Sequence, residues 1–237
     1  MNDWSAWMGL PLWVWLFVLP TVLVALCALR PRAAQRLLAP LWNILDRLYL
    51  VSGAISAFFL VMILVIIVLQ MVTRWSSIAF PGSTEFAGYA MAATSFFALA
   101  YALNRGAHIR VSIFLNLNAF TRRWLDLLAT FLAAIIATYF ARYAVKTNLL
   151  SKMLNDRTQG QDMVPEWLLS FFATFVTAPG KWPALWAQTG DGWVYTPIWL
   201  PQLPMSIGTI LLAIALWDNL TRMAATGQSR IKTEAME

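Results

Sequence analysis

Four stretches of this chain carry no Asp, Glu, Lys or Arg over the length of a membrane crossing, and no other feature constrains its fold as strongly. Trp4–Leu29, Leu48–Thr73 and Gly192–Trp217 are each longer than the ~20 residues that cross ~30 Å of hydrocarbon as a helix. Phe86–Asn104 is just long enough. A fifth run, Leu127–Ala141, spans only if Asp126 or Arg142 lies at an interface or against protein. In hydrocarbon every backbone N–H and C=O must be bonded within the protein, so such runs are helices. The expected fold class is an all-α integral membrane protein with about five transmembrane helices. They fall at roughly 8–29, 48–73, 85–104, 123–148 and 198–219.

The composition agrees. The chain is 60% hydrophobic and 12% charged, where a soluble domain carries about 25% charge. Its 13 tryptophans suit anchoring at the headgroup level. The single cysteine, Cys27, excludes an intrachain disulfide and a cysteine metal cluster. No basic region precedes the first apolar run, and that run is too long for a secretory signal.

Basic residues orient the helices. Arg30, Arg32, Arg36 and Arg47 follow the first segment, Arg105, Arg110, Arg122 and Arg123 lie between the third and fourth, and Arg222, Arg230 and Lys232 follow the fifth. Arg74, Lys152, Arg157 and Lys181 fall in the other two loops. Basic residues in short loops stay cytoplasmic, so the expected N-terminus is outside and the C-terminus cytoplasmic. The net charge of +6 is then a topology signal, and no nucleic-acid partner is expected.

Between the spans, Ala33–Arg47 reads as a short amphipathic segment at the inner surface, with Leu37, Leu38, Leu41, Trp42 and Leu45 sharing a face. The loop over 149–196 is long. Within it Met163–Thr177 is apolar but short, and Pro165–Glu166 is a helix start, so an interfacial or re-entrant helix is expected. In the fourth segment Ala129, Ala133, Ala137 and Ala141 recur every four residues beside Thr130, Ala134, Thr138 and Arg142. The third offers Gly88/Ala92 and Ala98/Ala102. Such seams bring helix backbones close, within this chain or against another subunit. Arg142 and Lys146 share a helix face and reach the headgroups or an acidic partner. Ser83 or Thr84 is placed to cap the third helix, Glu85 to favour its dipole, and Arg74 to pair with Glu85. Asp126 and Asp218 each have an arginine four residues away, Arg122 and Arg222.

No catalytic chemistry is visible. The one histidine, His108, has no nucleophile or carboxylate arranged around it, and a bis-histidine haem site needs more than one. There is no phosphate-binding loop or dinucleotide fingerprint, and no pair of helices broken at mid-membrane as ion-coupled carriers use. No enzyme activity and no cofactor are expected. A chain that spans repeatedly without a substrate site reads as an auxiliary subunit.

Three stretches carry a family resemblance: LVMILVIIVLQMVTRW, then FPGSTEFAGYAMAATSFFALAYALNRGAHIRVSIF, then TPIWLPQLPMSIGTILLAIAL. They resemble the small membrane subunit of tripartite ATP-independent periplasmic (TRAP) transporters, the DctQ type. Gln70–Arg74 matches the end of the family's first helix, Ser83–Glu85 the opening of the next, and Arg105, Gly106, His108, Ile109, Arg110 and Val111 the short stretch after it. Pro197–Gly208 matches the opening of the last helix with its own spacing. Coverage is about residues 42–220.

The resemblance implies four helices with both ends cytoplasmic, so residues 1–30 are an extra N-terminal helix. An amphipathic linker (31–47), a DctQ-like core (48–222) with its periplasmic loop at 149–196, and a cytoplasmic tail (223–237) follow. It implies a bacterial inner-membrane protein. This would be the scaffold of a sodium-coupled organic-acid transporter, beside a large DctM-type subunit and in transient contact with a periplasmic substrate-binding protein. Candidate interface or structural residues are Arg74, Glu85, Gly88, His108, Arg110, Ala133, Ala137 and Arg142. Gly106 ends a helix, and His108 bonds a helix end here or in the partner. An anchor for a redox enzyme and a stand-alone membrane assembly protein are the alternatives.

Overall fold

The structure is a computed structural model. It describes residue 4 and residues 6–106, 119–174 and 177–227, and of residues 119–123 the backbone. Four described helices are long and apolar enough to cross a membrane, and a shorter apolar helix precedes them. The chain is an all-α membrane protein.

The N-terminal run does not form a helix from residue 8. A two-stranded turn, β1 (Ala6–Trp7) on β2 (Leu10–Pro11), comes first, with Met8 and Gly9 at positive φ. Helix α1 (Val14–Leu29) then opens as five π-helical residues and continues as eleven α-helical ones. It is about 24 Å long, short of a full hydrocarbon crossing.

Helix α2 runs unbroken from Pro31 to Trp75, 45 residues. The expected separate segment at 31–47 is therefore the first part of α2. Pro31 occupies the first helical position, where its missing N–H costs nothing, and Pro40 lies inside the helix. The expected apolar face also divides. Leu38, Trp42 and Leu45 pack on neighbouring helices, whereas Leu37 is 77% exposed and Leu41 48%. Beyond Ser56, α2 presents Phe58, Leu60, Leu64, Val68 and Met71 outward.

Helix α3 (Ser83–Arg105) begins after Gly82, which holds φ +77°, and no side chain caps it. Ser83 is buried in its first turn, so the expected hydroxyl cap is replaced by a left-handed glycine. A Cβ on Gly82 would stand 2.8 Å from the Gln161 carbonyl oxygen. Gly106, at φ +76°, ends α3, and its N–H reaches the Leu103 carbonyl. This is the expected helix exit. Helix α4 (Ala119–Leu154) outlasts its expected end by six residues. The outer segment then forms β3 (Met163–Pro165), α5 (Glu166–Thr174), α6 (Trp182–Ala187) and β4 (Trp193–Tyr195), with β3 antiparallel to β4. Pro165 and Glu166 mark the start of α5 as the sequence suggests. Helix α7 (Trp199–Thr226) extends seven residues past its expected end and stops at Gly227.

α7 is the hub, in contact with α1, α2, α3 and α4. Its residues Ala215 to Ala225 are buried on every side. Close approach comes from small residues. A Cβ on Gly208 would stand 2.5 Å from the Phe96 carbonyl oxygen, so α7 and α3 touch backbone to backbone there. Ala134, Ala137, Thr138, Ala141 and Ala144 are buried on α4, and α4 packs on α7. The α4 seam from Ala133 to Ala141 is thus spent within this chain, while Ala129 is exposed. The Trp217 indole N–H donates to Thr138 Oγ1 at 3.0 Å, and Ser206 Oγ donates to the Ala144 carbonyl at 3.2 Å. Between α2 and α3, the Ser52 hydroxyl donates to the Phe97 carbonyl and the Ser56 hydroxyl to the Thr94 carbonyl.

Gly208→Ala should lower stability by about 1–3 kcal/mol, because the new methyl meets a backbone carbonyl that cannot rotate away. Gly88→Ala should be neutral, since no atom lies within 4 Å of a Cβ built there. Thermal midpoints of the purified variants in one detergent check the contrast.

Candidate functional site

Two polar clusters lie at opposite ends of the bundle. At the end formed by the start of α2 and the close of α7, Arg222 is buried. Its Nε donates to Asp218 Oδ1 at 2.9 Å, one helical turn back. Nη2 and Nη1 reach the two oxygens of Asp46 at 3.1 and 3.4 Å, and Nη2 also donates to the Trp42 carbonyl at 3.0 Å. The guanidinium carbon lies 5.2 Å from the Trp42 ring centroid, in the range of a cation–π contact. Tyr49 OH donates to the other Asp218 oxygen at 3.3 Å. Gln35 Nε2 donates to the Ala225 carbonyl at 2.8 Å, satisfying one of the carbonyls that a helix leaves open at its C-terminus. A planar cation with five donors suits two carboxylates and a carbonyl at once. The expected Asp218–Arg222 pair is present, but as part of a buried cluster on α2 rather than at an exposed helix end.

Tyr49, Leu103, Asn104, Ala215, Asp218, Asn219 and Arg222 surround a cavity of about 10 Å³ there. The Asn219 amide oxygen is buried without a partner among the described residues. That is room for roughly one water.

At the other end the outer segment is tied to α3. Asp162 is fully buried. One carboxylate oxygen accepts Tyr89 OH at 2.6 Å and the other Thr158 Oγ1 at 2.9 Å, and its carbonyl accepts the Thr196 N–H at 3.2 Å. Glu85, in the first turn of α3, accepts the Gln161 N–H at 3.3 Å. Gly160 lies between these carboxylates, for a Cβ there would stand 2.8 Å from Asp162 Oδ1 and 3.0 Å from Glu85 Oε1. Glu166 closes the far side of the segment by accepting the Gly190 N–H at 2.7 Å. Asn148 anchors α4 by donating to the Trp199 carbonyl at 2.8 Å.

The expected site residues are distributed over both ends. Glu85 belongs to the outer cluster. Arg74, exposed in the last turn of α2, forms no ion pair with it among the described residues. Gly88 has open space over its Cα. Ala137 is buried in the core, and Ala133 packs partly buried against it. Arg142 is half-buried on α4. His108 and Arg110 lie outside the described residues, as does the Arg122 side chain. Sequence reasoning missed Asp46, Tyr49, Asp162 and Tyr89. Asp46 sits eight residues after Leu38 on the packed face of α2, a spacing that could have shown it inward. Asp162 carried no signal beyond its turn-rich surroundings.

Residues 63–179 match the family model described as "Tripartite ATP-independent periplasmic transporters, DctQ component". The chain belongs to the DctQ family. The matched region begins midway along α2 and takes in α3, α4 and α5. Nothing matches the chain among curated proteins or among solved structures. DctQ proteins are transporter components, so this multi-pass membrane chain is a TRAP transporter small subunit.

Removing one member of a buried ion cluster leaves the other charges unpaired, at a cost of about 3–5 kcal/mol. Arg222→Ala should therefore destabilise this DctQ protein by about that much. The combined change Arg222→Met, Asp218→Leu and Asp46→Leu should recover much of the loss. Detergent-resistant folded fraction against temperature compares the two.

Proposed function

We propose that this DctQ protein is the static scaffold of a sodium-coupled TRAP transporter for organic acids in a bacterial inner membrane. It packs beside a large DctM-type subunit that carries substrate and ion, and meets the periplasmic substrate-binding protein in passing. Its C-terminus lies in the cytoplasm, and α1 together with the β1–β2 turn ahead of it carries the N-terminus to the outer side. The observation that carries this reading is how the buried charges of the helices are spent. Arg222, Asp218 and Asp46 satisfy one another, and the cavity beside them, about 10 Å³, is far too small for an organic acid. Charged groups inside membrane proteins commonly mark substrate or ion paths; these hold helices together.

We assign the contact with the large subunit to four of the candidate residues. Gly88 offers a close backbone approach on α3, and Arg74, His108 and Arg110 flank the ends of the matched helices. Glu85, Ala133, Ala137 and Arg142 serve the internal frame that presents this surface.

Solubilised in mild detergent, the tagged protein should bring down a much larger polytopic membrane protein, and solute uptake by cells should need both. Gly88→Leu should reduce recovery of the larger protein several-fold while leaving this chain's own melting unchanged. Full-rate uptake by the large subunit alone would remove the proposal. So would binding of an organic acid to this chain in isolation, or a haem or flavin absorbance in the purified complex.

A further inference from the structure

We propose that the cavity beside the arginine cluster is a binding site for one ordered water, which bridges Asn219 and Arg222 of α7 to Asn104 of α3. Asn219 is 8% exposed, and its amide oxygen has no hydrogen-bond partner among the described residues. The residue lines the cavity together with Asn104, Asp218 and Arg222. Ala215, Asn219 and Arg222 are spaced by four and three residues, so they share one face of α7. Ala215 contributes only a methyl group to the wall, which leaves room that a longer side chain would fill. Leu103 and Tyr49, both buried, close the remaining sides.

Size and chemistry together select the occupant. The cavity is about 10 Å³, the room of a single water and too little for any larger molecule. Its wall is polar, and polar cavities of this size hydrate whereas apolar ones stay dry. The Asn219 oxygen needs a donor. Arg222 needs an acceptor, because a guanidinium carries five N–H groups and the bonds to Asp218, Asp46 and the Trp42 carbonyl use one on Nε, one on Nη1 and both on Nη2. The second N–H of Nη1 is left over. The Asn104 amide serves as donor or acceptor. A cation here would face the guanidinium, and an anion would face the Asp218 carboxylate. Water is neutral and both donates and accepts. Buried waters make about three hydrogen bonds, and Asn219, Arg222 and Asn104 offer three.

The bridge adds a helix to the cluster. The bonds of Arg222, Asp218 and Tyr49 join α7 to α2, whereas α3 meets this end of the bundle by packing, through Ala100 and Leu103. Asn104 stands two residues before Gly106, where α3 ends. A water between Asn104 and Asn219 therefore fixes the exit of α3 against α7, and such a bridge is enthalpically close to a direct hydrogen bond. The site lies wholly within this chain and does not depend on the scaffold reading.

The test uses the full chain purified with its membrane partners. A density map that resolves other buried waters should show one isolated peak in the cavity, about 2.7–3.2 Å from Asn219 Oδ1 and from the Asn104 amide. Stability then separates a water-bonded oxygen from an orphaned one. Deleting an orphaned buried acceptor relieves its desolvation cost, so without the water Asn219→Leu would not lower the thermal midpoint. With the water, the same change strands the groups it joins, and the midpoint should fall by several degrees. Asn104→Leu should lower it as well, and the double variant should fall by less than the sum, since either change alone breaks the bridge. The map is of the wild type and needs neither variant to fold. A map with no peak in the cavity, or with polypeptide or lipid density filling it, would overturn the proposal. So would an unchanged or raised midpoint in Asn219→Leu, or shifts in the pair that simply add.

Discussion

The rest of the structure depends on α7 being able to lie in backbone contact with its neighbours. Between helices in lipid there is no gain from burying apolar surface, since the acyl chains are as apolar as leucine. What remains is van der Waals contact and hydrogen bonding, and both demand close approach. Gly208 against the Phe96 carbonyl, and the alanines and threonines of α4 against α7, supply it. Once the backbones are that near, short hydroxyl side chains reach carbonyls on other helices. Ser52, Ser56 and Ser206 do so, and the Trp217 indole reaches a hydroxyl.

Close packing alone leaves helices free to slide, and the two end clusters remove that freedom. At one end a single guanidinium joins α7 to α2 through two carboxylates and a carbonyl. At the other, Asp162 and Glu85 hold the outer segment onto the first turns of α3. β3 and β4 lead the same segment directly into α7. The outer segment is thus continuous with the hub at one edge and bonded to α3 at another. A member of a transporter-component family built this way is braced at both ends.

The N-terminal addition follows different rules. α1 is shorter than a full crossing and touches the bundle at its two ends, leaving a gap between. At one end the contact is aromatic, Phe17 on Tyr139, and at the other Cys27 meets Ala224 and Ala225. A cleft of about 540 Å³ remains between α1 and α4.

Membrane character, the four long helices, the α3 exit at Gly106, the start of α5 at Glu166 and the family were all legible in the sequence. Each rests on a local property: a run without charge, a residue able to hold positive φ, a proline before an acid, a short motif. The sequence also determined that α4 carries a small-residue seam, since spacing of four is a helix property. Only the tertiary structure decided that the seam is spent on α7, because which helix lies opposite is set by non-local packing. The same holds for α2, where Pro31 to Trp75 form one helix although the polarity changes midway, and for Arg222. Read alone, Arg222 was a cytoplasmic marker at a helix end. Its partners Asp46 and Trp42 lie about 180 positions away in the chain, at 176 and 180 residues, so no local pattern could show it buried. The physical reason is common to these cases: helix formation is decided by neighbours in the chain, whereas the pairing of charges and small faces is decided by neighbours in space.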